Sequence, residues 1–164
     1  MARTYPIGSY VQSPFVVMER VEVNVQKAIP ASADQLWAYI GGFSSLASWA
    51  PGVSLSEIVE GDDNTVGAVR KLTLENGFSF CERCEIFESS ERRNGYTILD
   101  NAMNLFDYHA ILQALPGDGD NQATLSWTTK FETPADNKEQ ATAQINALFT
   151  SCADAVAHHF ASAN

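Results

Sequence analysis

The chain has 164 residues, 45% of them hydrophobic and 18% charged, and its 20 acidic against 10 basic side chains give a formal charge of −10 at neutral pH. That length suits one domain able to bury roughly two-thirds of its unfolded surface, and it excludes two well-formed cores. The acidity repels phosphate backbones and anionic membrane surfaces, which argues against nucleic acid as a partner, and no apolar run approaches the roughly 20 residues that cross a bilayer.

Residues 1–18 carry Pro6 and Pro14 and neither a clear period nor a continuous apolar stretch. They read as an N-terminal arm, not as a secretory signal, ahead of a single domain over residues 19–164. Cys81, Cys84 and Cys152 are an odd number and make no disulfide framework. Both features predict a soluble, cytoplasmic protein.

Over residues 20–28, Val21, Val23 and Val25 alternate with Glu22, Asn24 and Gln26, the period of a half-buried strand. Ser32 and Gln35 then have the spacing of a capping box, and Leu36, Trp37 and Ile40 follow at helical spacing until Gly41-Gly42. A second short helix is predicted over 44–49, closed by Pro51. Strand-like runs at 53–60, 66–74, 78–88, 96–100, 107–115 and 122–132 alternate with turn clusters such as Gly61-Asp62-Asp63-Asn64 and Asn76-Gly77, which predicts an antiparallel meander. Beyond Pro134 there is no Gly or Pro, and Ile145, Leu148, Phe149, Cys152, Val156 and Phe160 repeat at helical spacing. The order predicts an α+β helix-grip fold: a curved seven-stranded antiparallel sheet, two short helices, and a long C-terminal helix enclosing a cavity.

Function is sought where a charged residue falls in phase with an apolar strand face, because burying an unpaired charge costs several kcal/mol. Arg70 shares a face with Ala68, Leu72 and Leu74; Glu82 with Phe80, Cys84 and Ile86; Tyr108 with Ala110, Leu112 and Ala114. An inward Glu82 can move protons while Arg70 polarises a ligand oxygen and Tyr108 hydrogen-bonds the same ligand. The plain alternative is a structural Arg–Glu pair across adjacent strands with a core tyrosine. Trp37, Phe80, Phe106, Trp127 and Phe131 are candidate cavity-lining aromatics, and Met103, Leu105 and Phe106 sit in a presumed loop where apolar residues suit a pocket mouth.

Cys81 and Cys84 have a C-x-x-C spacing but face opposite sides of a strand, so no metal site is expected. His158 and His159 suit a helix C-terminus, and His109 alternates outward. Gly41-Gly42 follows a helix and the 61–67 loop is too acidic to cradle phosphate, so no nucleotide cofactor is expected.

The element order, together with Ala31-Ser32-Ala33-Asp34-Gln35-Leu36-Trp37, Glu60-Gly61, Val66-Gly67-Ala68-Val69-Arg70, Glu82-Arg83, Asp107-Tyr108 and Leu125-Ser126-Trp127, resembles the START-like, birch-pollen-allergen-like superfamily over residues 20–162. Within it the chain is similar to the polyketide cyclase/dehydrase and lipid-transport family. The plant lachrymatory-factor synthases look similar across the same motifs, and their catalytic Arg, Glu and Tyr fall by motif context on Arg70, Glu82 and Tyr108. The chain departs from pathogenesis-related members, which carry a glycine-rich loop in place of Asp62-Asp63-Asn64. It also departs from hormone receptors, which carry a proline-bearing gate in place of Leu74-Glu75-Asn76-Gly77-Phe78. The resemblance implies a cavity for a small hydrophobic ligand and a cyclase/dehydratase-type enzyme acting on an apolar or polyketide-like compound by acid/base proton transfer. A non-catalytic carrier of a lipid or other hydrophobic metabolite is the alternative.

Overall fold

A computed structural model describes residues 15–163. Most of the expected N-terminal arm, residues 1–14, lies outside the described residues. Strand β1 spans Met18–Ile29, so its first residue is the last of that arm. The chain continues through helix α1 (Ala33–Ile40), a short helical turn (Phe43–Ser45) and helix α2 (Leu46–Trp49). Strands β2 (Val53–Glu60), β3 (Val69–Leu74), β4 (Ser79–Glu88), β5 (Arg93–Ile98), β6 (Phe106–Pro116) and β7 (Ala123–Pro134) follow, and helix α3 (Lys138–Ser162) closes the order.

The seven strands form one antiparallel sheet in the order β1-β7-β6-β5-β4-β3-β2. This is the helix-grip arrangement expected from the sequence. In β1 the period-two pattern works as read: Val21 and Val23 are buried while Glu22 and Asn24 are exposed. The capping box forms as well, with the Gln35 amide donating to Ser32 Oγ at 3.1 Å and the Ser32 amide donating to Gln35 Oε1 at 3.0 Å. It supplies partners for donors that the first helical turn cannot satisfy internally.

Two strands start elsewhere than the alternation suggests. β3 begins at Val69, not at 66, because Gly67 adopts φ 95 and the Ala68 amide bonds the Thr65 carbonyl, which makes residues 65–68 a turn. β5 begins at Arg93 because the turn is over by Arg92, at φ 50. The register also steps by one residue between Cys84 and Ile86 in β4 and between Phe106 and His109 in β6. Such bulges bend a strand and increase its twist, so they help the sheet to wrap.

Helix α3 lays Ile145, Phe149, Cys152, Ala153 and Val156 against the inner face of the sheet. Phe149 stacks on Trp127 of β7 with ring centroids 4.0 Å apart. Each of these side chains contributes about 1.5–3 kcal/mol through burial if it is large and apolar. Between helix and sheet, space remains.

Candidate functional site

β3 and β4 set Arg70 and Glu82 directly opposite each other. Strand alternation turns both inward beside Leu72 and Cys84, and each of the two charged residues is only 3% exposed. The guanidinium donates from Nε at 3.2 Å and from Nη2 at 3.0 Å to Glu82 Oε1, and from Nη1 to the Phe43 carbonyl at 2.6 Å. Its carbon lies 4.2 Å from the Phe43 ring centroid and 4.7 Å from that of Tyr96. Aromatic faces stabilise a cation held this way, the more so when it is desolvated.

A cavity of about 410 Å³ lies against this pair, between the sheet and α3. Leu72, Phe80, Ile98, Leu105, Trp127 and Phe149 give it apolar walls. Glu82, Tyr96 and Tyr108 are the groups on that wall with polar ends in the interior. Its lining also includes Glu75, Asn76 and Gln144 and the exposed side chains of Met103 and Leu148, which belong to the mouth.

Glu82, Tyr108, Phe80, Met103 and Trp127 all line this one cavity. Arg70 does not line it. Its guanidinium is taken up by Glu82, Phe43 and Tyr96 and reaches the cavity only through them. Trp37 does not line it either: the indole packs against Phe87 at 5.8 Å between ring centroids and lies over Gly41, where an added Cβ would come within 2.4 Å of the ring. One residue after the buried Leu36, it is turned about 100° around the helix from the core-facing stripe. Phe106 is displaced from the wall by the bulge that follows it. Asp107 adopts φ 48, the extra residue shifts the inward phase, and Leu105 and Tyr108 face the cavity instead.

Two contributors carry no earlier mark. Tyr96 packs over Arg70 and accepts a hydrogen bond from Trp127 Nε1 at 3.1 Å; its alternation with Ile98 in the 96–100 run was the available signal. Phe43 acts through a backbone carbonyl and a ring lying in a helical turn, a role that no side-chain pattern announces.

Burial pushes the Glu82 carboxyl above the ordinary carboxylate range, and the Arg70 cation opposes that rise. Burial also raises Tyr96 well above the usual phenol value, with the nearby Tyr108 adding to it, and raises Tyr108, with the Glu82 charge adding to it. Cys152, on the α3 wall, is pushed up to about 12 by burial. A carboxyl so placed can take or return a proton in a space shielded from water, while both phenols stay protonated at neutral pH.

Among the described residues, no group of three or more His, Cys, Asp and Glu side chains converges to hold a metal ion. Cys81 is half-buried and Cys84 buried, consistent with their lying on opposite faces. His109 faces outward, its ring nitrogens 2.7 Å from Glu85 Oε2 and 2.9 Å from Asp107 Oδ1. His159 stacks on Tyr39 with ring centroids 4.1 Å apart. No described helix is long and apolar enough to cross a membrane.

Residues 20–161 match the model of a family described as polyketide cyclase / dehydrase and lipid transport. An uncharacterized protein from Bacillus thuringiensis is similar in structure, with a TM-score of 0.78 and 28% identity over 85% of this chain and 98% of that one. The XoxI protein of Bacillus cereus is similar too, with a TM-score of 0.78 and 27% identity over 85% of this chain and 94% of that one. Norcoclaurine synthase from Thalictrum flavum, solved in complex with dopamine and hydroxybenzaldehyde, has a TM-score of 0.68 at 16% identity over 90% of each chain, a likeness of fold alone. No curated protein matches the chain.

Proposed function

Since the chain belongs to the polyketide cyclase / dehydrase and lipid transport family, we propose that it is an enzyme of the cyclase/dehydratase kind, acting on an apolar or polyketide-like compound inside the cavity. The observation that carries this reading is the buried Glu82 carboxyl on a largely apolar wall, with Arg70 bound to one of its oxygens. In this reading Glu82 removes a proton from the ligand and returns it to the departing hydroxyl, which leaves as water; the cavity holds the chain folded for ring closure. Arg70 keeps Glu82 ionised and aimed. Tyr108 offers a hydroxyl to the ligand oxygen that gathers charge.

The mutual satisfaction of Arg70 and Glu82 favours a second reading, a carrier whose pair is a structural clamp and whose cavity only stores a lipid or other hydrophobic metabolite. Mass spectrometry of a panel of aromatic and polyketide-like compounds, incubated with wild type and with Glu82→Gln, separates the two. Loss of water or ring closure with wild type, reduced by roughly two orders of magnitude in the variant, is the expected result. Compounds retained unchanged by both proteins would establish the carrier.

A further inference from the structure

The turn between β2 and β3 carries Asp62, Asp63 and Asn64 in succession. The structure ties it to the buried pair. Asn64 Oδ1 accepts a hydrogen bond from the Phe43 backbone amide at 2.8 Å. Ser44 Oγ donates to Asp63 Oδ2, a second tie between the same two segments. Phe43 in turn presents its carbonyl to Arg70 Nη1 at 2.6 Å and its ring at 4.2 Å from the guanidinium carbon. Asn64 sits at φ 60, a backbone conformation that asparagine tolerates far better than most residues do.

We propose that Asn64 is a positioning residue for the proton-transfer carboxyl: it fixes the Phe43 backbone, Phe43 fixes the Arg70 guanidinium, and the guanidinium fixes Glu82. This rests on the reading of Glu82 as the proton-transfer group, but the linkage itself is a property of the folded chain. The Phe43 ring is fully buried, and the Gly42 carbonyl before it accepts from Ser45 N at 3.0 Å and from Ser45 Oγ at 2.6 Å. To these local restraints the Asn64 bond adds one on the Phe43 amide itself, from a turn 21 residues away. With its N–H held by Asn64 and its C=O by Arg70, Phe43 is restrained in both peptide units that flank its Cα, whereas with the C=O bond alone the second unit is freer to turn about the Phe43 φ and ψ and the carbonyl to follow the arginine.

Glu82 is faced by Arg70 from β3, Tyr96 from β5 and Tyr108 from β6, with Cys84 two residues along its own strand. Of these, Arg70 alone carries a charge at neutral pH, so loosening it acts on Glu82 in one direction. The carboxyl loses the cation that opposes desolvation and titrates higher.

The test is nuclear magnetic resonance on the full, ligand-free chain. It follows hydrogen exchange at Arg70 Nε–H and the pH titration of the Glu82 side-chain carbon, assigned by comparison with Glu82→Gln. Asn64→Gly removes the acceptor while accepting positive φ without strain. It is expected to speed Arg70 Nε–H exchange by roughly two- to tenfold, the worth of one hydrogen bond, and to move the Glu82 titration upward. Asn64→Asp keeps an acceptor oxygen and tolerates the same backbone, so it is expected to restore the Arg70 exchange rate; its added charge acts on the Glu82 titration in its own right, so exchange alone is compared for this variant. Unchanged exchange and titration in Asn64→Gly overturn the proposal. So does faster Arg70 exchange that Asn64→Asp fails to reverse, since an acceptor at position 64 would then not be what holds the guanidinium in place. If wild type transforms no compound, the enzymatic reading falls while these readouts still decide the linkage.

Discussion

Replacing Arg70 with methionine tests the energetics of the buried pair directly. It leaves Glu82, 3% exposed, without its counter-ion, and it leaves the Phe43 carbonyl without its Nη1 donor. Removing one partner of a buried ion pair costs about 3–5 kcal/mol. Against a total stability of about 5–15 kcal/mol this is a large fraction. Each kcal/mol lowers the midpoint of thermal unfolding by about 2–4 °C at this chain length, so the expected fall is about 6–20 °C. The loss depends on pH with a defined sign. Without Arg70, desolvation acts on Glu82 unopposed and lifts its folded value further. The folded state then binds more protons than the unfolded state between the ordinary carboxylate value and the raised one, so stability falls as pH rises through that window. The destabilisation by Arg70→Met is therefore smaller at about pH 5 than at about pH 8. The double variant Arg70→Met/Glu82→Met removes both charges and keeps only the unpaired Phe43 carbonyl, worth about 1–3 kcal/mol. Urea unfolding followed by the fluorescence of Trp37, Trp49 and Trp127 measures all four proteins of the cycle. Additive single effects, or an Arg70→Met cost equal at both pH values, would refute the coupling derived from the geometry.

Two further outcomes follow from local geometry. Gly41→Ala places a methyl group within 2.4 Å of the Trp37 ring, so the indole must leave its seat beside Phe87; a loss of about 1–3 kcal/mol is expected from overpacking, read as a lower thermal midpoint with a shifted tryptophan emission, and wild-type behaviour would show that the indole moves at no cost. His109 is held above the ordinary imidazole value chiefly by its hydrogen bond to Glu85, with Asp107 also raising it. Its contribution to stability is complete below the ordinary value and is lost as pH rises through the raised one. Proton resonance titration is expected to show a raised midpoint that Glu85→Gln lowers more than Asp107→Asn does. A midpoint at the ordinary value would mean that these surface contacts do not persist in solution.

Most of the fold was legible because its signals are periodic. β2 falls on the predicted 53–60, the capping box at Ser32 and Gln35 forms bond for bond, and α3 buries its helical stripe from Ile145 to Val156. What the alternation missed was where the chain leaves a regular period. Residues 66–68 look like strand by their apolar character, yet Gly67 at φ 95 makes them a turn. Leu148 repeats with the buried stripe, yet it lies exposed at the cavity mouth, because the stripe there faces a void instead of packed side chains.

The same distinction explains the site. Arg70 and Glu82 were readable because a charge in an apolar phase is conspicuous, and their register makes them partners. Whether each touches the cavity was not readable, because two irregular features decide it. One is the bulge at Asp107, an acidic residue at φ 48 where no glycine flags a break; it exchanges Phe106 for Leu105 on the wall and keeps Tyr108 inward. The other is the Phe43 carbonyl, which draws the guanidinium off the wall and leaves Glu82 as the buried charged group that presents a face to the ligand space. Residue types thus determine which chemistry is available, while backbone departures determine where it is aimed. Relatives that share the Arg, Glu and Tyr motifs but differ at position 64 or in the bulge would keep the same groups and direct them differently, so the motif by itself specifies a pocket and not a reaction.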